Sequence, residues 1–217
     1  MGKSQAAAST QRAPDGHRMT LGRRLRDLRK ENGWTLAEVA SRTGLAISTI
    51  SKVERGQMSL TYDRFMQLAE RLELDVGALF SREKRDLGAG EPVVTRRGMA
   101  KRYDTPTYAY EMLAAGLRGK HMIPMTGRVT ARSLREFRDY VRHPGEEFLI
   151  VLEGTLKVHV EGRRPVTLKV GDSVYFDSGL GHAYVSVGPE DARILVVCWQ
   201  PRRDMPPPGL AGQLPPG

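Results

Sequence analysis

The segment from Trp34 to Gly56 constrains this chain most, because two short amphipathic helices and a tight turn are written into it with little slack. Thr35 followed three residues later by Glu38 has the spacing of a capping box, in which each side chain bonds the other's backbone amide and so fixes where a helix begins. Leu36, Val39 and Ala40 then recur at helical spacing and form one apolar face. Gly44 permits the turn. Beyond it, Ile50 and Val53 fall on one side of a second helix, which leaves Ser48, Thr49, Ser51, Lys52 and Arg55 on the others, and Gly56 stands where a helix commonly stops. A short helix that buries two aliphatic side chains and offers hydroxyls and cations outward has the grammar of a helix-turn-helix DNA reader.

The flanking residues extend the pattern. Leu21, Leu25 and Leu28 repeat at helical spacing before it, and after it Ser59 is placed to cap a fourth helix carrying Leu60, Phe65, Leu68, Ala69 and Leu72. A fifth short helix is expected around Asp75 to Phe80. Across residues 20–80 the sequence resembles the phage-repressor-like XRE family of transcription regulators, most specifically in Ile50-Ser-Lys-Val-Glu-Arg-Gly56. Ser48, Thr49 and Lys52 are the expected base-reading side chains, since hydroxyls and an ammonium can contact base edges in the major groove. Ile47 either touches a thymine methyl or packs at the helix start. Thr35, Ser51 and Arg55 are expected on phosphate, with part of the arginine-rich first helix, and Trp34 in the core. One such helix reads few base pairs, so a homodimer on a near-palindromic double-stranded operator is expected, with half-sites about ten base pairs apart.

Composition agrees without deciding. The 217 residues suit two modest domains, and a formal charge of +9 favours a polyanionic partner. The basic residues spread over both halves, with one local concentration in Arg12, Arg18, Arg23, Arg24, Arg26, Arg29 and Lys30. The one cysteine, Cys198, excludes an intrachain disulfide and suits a reducing cytosol; its apolar neighbours point to a buried structural role. No stretch has the length of a membrane span and the polar start lacks a secretory signal, so the expected compartment is the cytoplasm.

Residues 1–19, without apolar periodicity, read as a flexible basic arm, residues 81–91 as a charged and then glycine-rich linker, and residues 201–217, rich in proline and glycine, as a disordered tail. Over residues 92–200 the period changes. Leu156, Val158 and Val160 alternate with Lys157, His159 and Glu161; Val166, Leu168 and Val170 alternate again; Phe148–Leu152 and Ile194–Trp199 are continuous apolar runs. Short strands punctuated by Gly154, Gly162, Gly171 and Gly188 predict an antiparallel sandwich or barrel.

Two segments within it, His143-Pro-Gly-Glu-Glu147 continuing to Gly154 and Gly171-Asp-Ser-Val-Tyr continuing to His182, resemble the signatures of the cupin family. The resemblance implies a multidomain α + β chain: a five-helix bundle followed by an antiparallel β-barrel, or double-stranded β-helix, that senses a ligand and dimerises. Metal-binding cupins supply three histidines and a glutamate from these segments. This chain supplies His143, Glu147 and His182, with Val141 where another histidine would stand. Three such ligands suffice for an open divalent site (Zn, Fe, Mn or Ni), while His143, Glu147, Tyr175, His182 and Tyr184 serve equally as a metal-free effector pocket. Met112, Met122, Met125 and Trp199 either line the barrel or fill its core. Glu146 reads as a solvated turn residue and His159 as surface. Arg128, Arg132, Arg135, Arg138 and Arg142 would recognise an acidic metabolite if they faced inward, and are ordinary solvated charge otherwise.

The expected function is a ligand-responsive, non-enzymatic, DNA-binding transcription regulator. The alternatives are a metal-dependent cupin enzyme joined to a DNA-binding domain, and a barrel used only for dimerisation or a protein partner.

Overall fold

The computed structural model describes residues 16–74, 76–80 and 85–200. The arm at residues 1–15, the tail at 201–217 and Asp75 lie outside them. Five helical segments come first: α1 (Gly16–Glu31), α2 (Leu36–Thr43), α3 (Ile47–Glu54), α4 (Tyr62–Arg71) and α5 (Val76–Phe80). Only the first four are helices of eight residues or more, so among the described residues the expected five-helix bundle is four helices and a five-residue turn of helix. α1 begins before residue 20, inside the stretch read as an arm. No helix among the described residues is long and apolar enough to cross a membrane.

The local signals at the helix ends act as read. Thr35 Oγ1 accepts from the Glu38 amide at 3.1 Å while the Thr35 amide donates to Glu38 Oε2 at 2.6 Å, closing the capping box. Gly44 takes the left-handed conformation at φ 71° and ends α2. The start of α4 is different: its cap is Thr61, without a side-chain hydrogen bond, and Ser59 lies upstream of it. α1 and α2 both pack on α3, and Leu25, Leu28, Val39, Ile50, Val53, Phe65 and Leu68 form the shared core. A second device was not legible. Arg29 Nε and Nη2 donate to the buried Glu54 carboxylate at 2.6 and 2.9 Å, and Nη1 donates to the Trp34 carbonyl at 2.9 Å, tying α1 to α3 and to the loop before α2.

The strands are β1 (Arg85–Asp86), β2 (Lys101–Asp104), β3 (Tyr108–Met112), β4 (Leu117–Arg118), β5 (Met122–Val129), β6 (Glu146–Glu153), β7 (Thr155–Val160), β8 (Val166–Lys169), β9 (Ser173–Asp177), β10 (His182–Ser186) and β11 (Ala192–Trp199). Six form a sheet in the order β2-β3-β5-β11-β6-β9 and three a sheet in the order β10-β7-β8. The expected closed barrel is not what forms among the described residues. The two sheets keep separate ladders; Val141, in the segment before β6, and His182 exchange amide–carbonyl hydrogen bonds at 3.0 Å, and the Ser186 hydroxyl of β10 donates to the Val129 carbonyl of β5 at 2.7 Å. The segment read as a linker also carries structure, since β1 pairs with β4 in a two-stranded parallel ladder.

Alternation decides what faces inward. On β11 Ala192, Ile194, Val196 and Cys198 are buried, and on β6 Glu147, Leu149 and Val151 are buried, with Cys198 directly opposite Glu147. On β5, Gly127 lies opposite Tyr110, and a Cβ there would come within 3.2 Å of the Tyr110 ring, so glycine lets that ring lie against the strand.

The helical and β parts share one packed boundary. The Tyr103 hydroxyl of β2 donates to the Leu60 carbonyl at 2.6 Å, and its ring sits 5.0 Å from Phe65 and 6.0 Å from Phe80 between centroids. α1 also packs directly on β2. Within the bundle the tightest approach is at Gly22, where an added Cβ would fall 2.0 Å from the Val53 carbonyl oxygen. Gly22→Ala is expected to cost about 1–3 kcal/mol through overpacking. A thermal melt of the variant unchanged from the parent would contradict this packing of α1 on α3.

Candidate functional site

Two regions carry chemistry. The first is the outer face of α3. Ile50, Val53 and Glu54 are buried, while Ser48 and Lys52 are exposed and Ile47 is 50% exposed. Thr49 and Ser51 are half-buried. Arg55 is exposed, with its Nε on the Ser51 carbonyl at 3.2 Å. Thr35 is occupied by its capping box, its hydroxyl also donating to Glu38 Oε2 at 2.8 Å. Of the basic residues of α1, Arg23, Arg26 and Lys30 are exposed, Arg24 pairs with Glu31, and Arg29 belongs to the buried pair with Glu54. Trp34 is half-buried beneath the Arg42 guanidinium, 4.8 Å from its ring centroid.

The second region lies between the sheets. Glu147 projects inward from β6, His143 from the turn before it, His182 from the start of β10, and the bridge at Val141 draws these segments together. His143 Nε2 sits 3.0 Å and His182 Nε2 3.6 Å from Glu147 Oε2. The Tyr184 hydroxyl donates to Oε1 at 2.5 Å, and the Cys198 thiol approaches Oε2 at 3.5 Å. His182 Nδ1 lies 2.9 Å from the Leu180 carbonyl, which only accepts, so Nδ1 carries a proton and Nε2 presents a lone pair to the centre when the ring is neutral. His143 Nδ1 is buried without a hydrogen-bond partner among the described residues.

Burial raises the Glu147 pKa, but the hydrogen bond from His143, the charges of His182 and His143, and the Tyr184 hydroxyl outweigh it and hold the carboxyl below its ordinary value. Burial lowers His182, against the opposing pull of Glu147. Burial, then Glu147, pushes the Cys198 thiol well up. One ligand atom each from His143, Glu147 and Cys198 lie within 4.8 Å of one another, and His182 faces the same carboxylate. Nitrogen, carboxylate and thiol donors of this kind fit a divalent transition metal.

The sequence thus anticipated His143, Glu147, His182 and Tyr184 together. Tyr175 does not join them: it is 63% exposed, with its hydroxyl on Glu146, and its neighbours Val174 and Phe176 are the ones turned toward the core. Met125 lines the pocket, whereas Met122 is 61% exposed and Trp199 is half-buried outside it. The five arginines from Arg128 to Arg142 are all exposed; Arg132 clamps the carbonyls of Gly188, Pro189 and Glu190, and Arg142 pairs with Glu161 at 2.7 Å. Three tyrosines of the wall were missed, and Cys198, read as a buried structural residue, joins the site. Tyr108 and Tyr110 alternate inward along β3, a signal that strand periodicity carried, while Tyr62 reaches in from α4 with no sequence cue. The space left among these side chains is about 10 Å³, room for about one water molecule.

A helix-turn-helix domain model matches residues 22–85 and a cupin domain model residues 136–198. Among curated proteins the chain is similar to (S)-2-hydroxypropylphosphonic acid epoxidase of Streptomyces wedmorensis, 26% identical with 80% of this chain and 92% of the epoxidase covered. It is also similar to the HTH-type transcriptional regulator SutR of Escherichia coli (strain K12), 23% identical with 84% and 96% covered. A solved HTH_3 family transcriptional regulator from Vibrio cholerae shares the fold at a TM-score of 0.54 and 20% identity, covering 87% of this chain and 99% of that one. The chain joins an XRE-like helix-turn-helix DNA-binding domain to a C-terminal cupin domain.

Because Glu147 is held low, the stability it contributes is complete above its ordinary value of 4.5 and lost as the pH falls through the lower folded value. Thermal melts of metal-free protein from about pH 7 to about pH 3 should therefore lose an acid-dependent component in Glu147→Gln. Parallel curves for parent and variant would assign that component to another group.

Proposed function

We propose that this protein is a dimeric, sequence-specific transcription regulator that reads double-stranded DNA with α3 and holds a small effector in its cupin domain. The DNA-reading domain runs over residues 20–80 and the sensing and dimerising domain over residues 92–200. The observation that carries the reading is α3 itself. It is an eight-residue helix whose inner side is pinned by Ile50, Val53 and the Arg29–Glu54 pair, and whose outer side offers Ser48, Lys52 and Ile47 to solvent. In this reading Ser48, Thr49 and Lys52 contact base edges and Ser51, Arg55 and the α2 start at Thr35 contact phosphate.

The pocket supports one class of effector over another. Among the described residues its lining includes a buried carboxylate, the His182 imidazole and four tyrosines, with no lysine or arginine, and His143 stands behind Tyr62 and Glu147. Tyrosine faces around an anionic carboxylate favour a small cation or hydrogen-bond donor, and disfavour the carboxylate metabolite that the arginine run would have recognised. A divalent metal is a cation of this kind. His143, Glu147 and His182 would hold it, with Cys198 adjacent, and a metal there would supply Lewis-acid polarisation.

That donor set, with the likeness to an epoxidase, gives a second reading: a metal-dependent enzyme fused to a DNA-binding domain. The close filling of the pocket gives weight to a third, in which the β domain only dimerises or seats a protein partner. The His143 Nδ1, buried without a partner among the described residues, and the Tyr62 hydroxyl, with only the Cys198 thiol against it, speak against the third, since a purely structural core has no use for them.

Selection of duplexes from a random pool tests the DNA reading. The expected product is a near-palindrome with half-sites about ten base pairs apart. Ser48→Ala should cost about 1–3 kcal/mol and relax preference at particular positions, if the serine reads a base. Arg55→Ala should weaken all duplexes alike and lower the salt slope by about 1. No enrichment over the starting pool would overturn the proposal. Calorimetry of the same sample against small amines, carboxylates and divalent metals separates the effector classes, and heat from carboxylates alone would overturn the cation assignment.

A further inference from the structure

The pocket of the cupin domain is finished by a residue of the other domain. Tyr62 is the first residue of α4, is only 4% exposed, and stands against His143 with ring centroids 5.2 Å apart and edge-on geometry, and against Tyr110 at 5.8 Å. It walls the same small space as Glu147, His182 and Cys198. Its hydroxyl is buried there against the Cys198 thiol, a weak partner, and makes no hydrogen bond of normal geometry among the described residues. Packing alone does not account for that. A phenylalanine would fill the volume without leaving a polar group so weakly paired, so the seated tyrosine gives up part of the hydrogen bonding that water would supply.

The same α4 touches the DNA-reading apparatus. Gln67 Nε2, on the second turn of the helix, donates to the Thr43 carbonyl at 3.3 Å, and Thr43 is the last residue of α2, immediately before the Gly44 turn into α3. Phe65 and Leu60 at the other side of the helix start are held on Tyr103 of β2. A displacement at Tyr62 therefore has a short, packed route to the turn that sets α3, and another to the sheet.

We propose that Tyr62 is the gate of the pocket and the link between the two domains: an occupant larger than about one water molecule enters only as Tyr62 gives up its seat, and the shift passes along α4 to the α2–α3 turn. This rests on the reading of the pocket as an effector site in a DNA-binding regulator. The weakly paired hydroxyl narrows the gap between two positions. On leaving the pocket it regains a hydrogen bond to water, which offsets part of the packing lost, so the seated and withdrawn positions lie closer in energy than they would for phenylalanine. Because coupling between two binding sites is reciprocal, the factor by which bound DNA changes the occupant's affinity is the factor by which the occupant changes DNA affinity.

Cys198, the chain's one cysteine, lies in the gated space and reports its opening. The test is the labelling rate of full-length protein with an excess of an aromatic disulfide reagent, with and without a saturating duplex selected by the parent protein. Tyr62→Ala is expected to label at least about tenfold faster than the parent, and Tyr62→Phe more slowly than the parent, because only the seated form gains from losing the hydroxyl. Saturating duplex is expected to change the parent's rate by about threefold or more, a measurement that needs no variant to fold. Equal rates in all three proteins overturn the gate. A duplex that binds but leaves the rate unchanged overturns the link. Failure of the parent to bind any duplex instead removes the regulator reading, while the comparison of variants still decides whether Tyr62 seals the pocket.

Discussion

Burying the Glu147 carboxylate is the constraint around which the β domain is arranged. An ionised carboxylate without partners in such a place is prohibitively costly, so the surrounding chain must deliver hydrogen bonds and positive potential to it from several directions. It does so with His143 from the preceding turn, Tyr184 and His182 from β10, and Cys198 from β11. These segments belong to two different sheets. The Ser186 hydroxyl and the Tyr184 amide of β10 bond across to β5 and to the Tyr108 hydroxyl of β3, and the bridge between Val141 and His182 brings the segment before β6 to the start of β10, beside the carboxylate. A hydrophobic residue at 147 would leave two histidines and a tyrosine hydroxyl without purpose, which is why the site reads as functional rather than as core.

The helical domain repeats the same logic on a smaller scale. Glu54 is buried at the end of α3, and Arg29 reaches it from α1 with two hydrogen bonds while a third holds the loop before α2. Gly22 makes this approach feasible by offering no side chain where α1 meets the Val53 carbonyl. The orientation of α3 is thus set from the inside by polar and steric contacts, which frees its outer face from any structural duty. With Tyr103 and Phe65 pinning the bundle to β2, the DNA-reading helix and the carboxylate site lie within one continuous packed body.

What the sequence disclosed follows from the range of each interaction. The capping box at Thr35, the left-handed Gly44 and the buried face of α3 are local, and the residues named them directly. His143 and Glu147, four residues apart, and His182 on the next signature were legible through a family resemblance whose pattern encodes their spacing. Arg29 was hidden because its partner is 25 residues away, and in a run of arginines nothing marks the one that turns inward. The start of α4 was misread at Ser59 because Ser59 and Thr61 are both adequate caps; the tertiary seat of Tyr62 accompanies the later one. Tyr175 was misassigned against its own periodicity, since Val174 and Phe176 flank it and face the other way. Barrel closure depends on whether edge strands meet, which alternation along individual strands does not encode.

The position of Tyr62 also bears on the choice between regulator and enzyme. A catalyst built on His143, Glu147 and His182 needs an open coordination position and room for a substrate beside it. Here that room is filled by a side chain from the DNA-reading domain, and turnover would require α4 to yield and reseat in every cycle. For a catalyst that motion is an obstacle between substrate and donors. For a regulator it is the signal, because a pocket that cannot fill without moving α4 cannot fill silently. In the proposed regulator, the same crowding that weakens the enzymatic reading would give an effector of modest affinity mechanical access to α3, provided its differential affinity for the open state matches the cost of unseating one tyrosine.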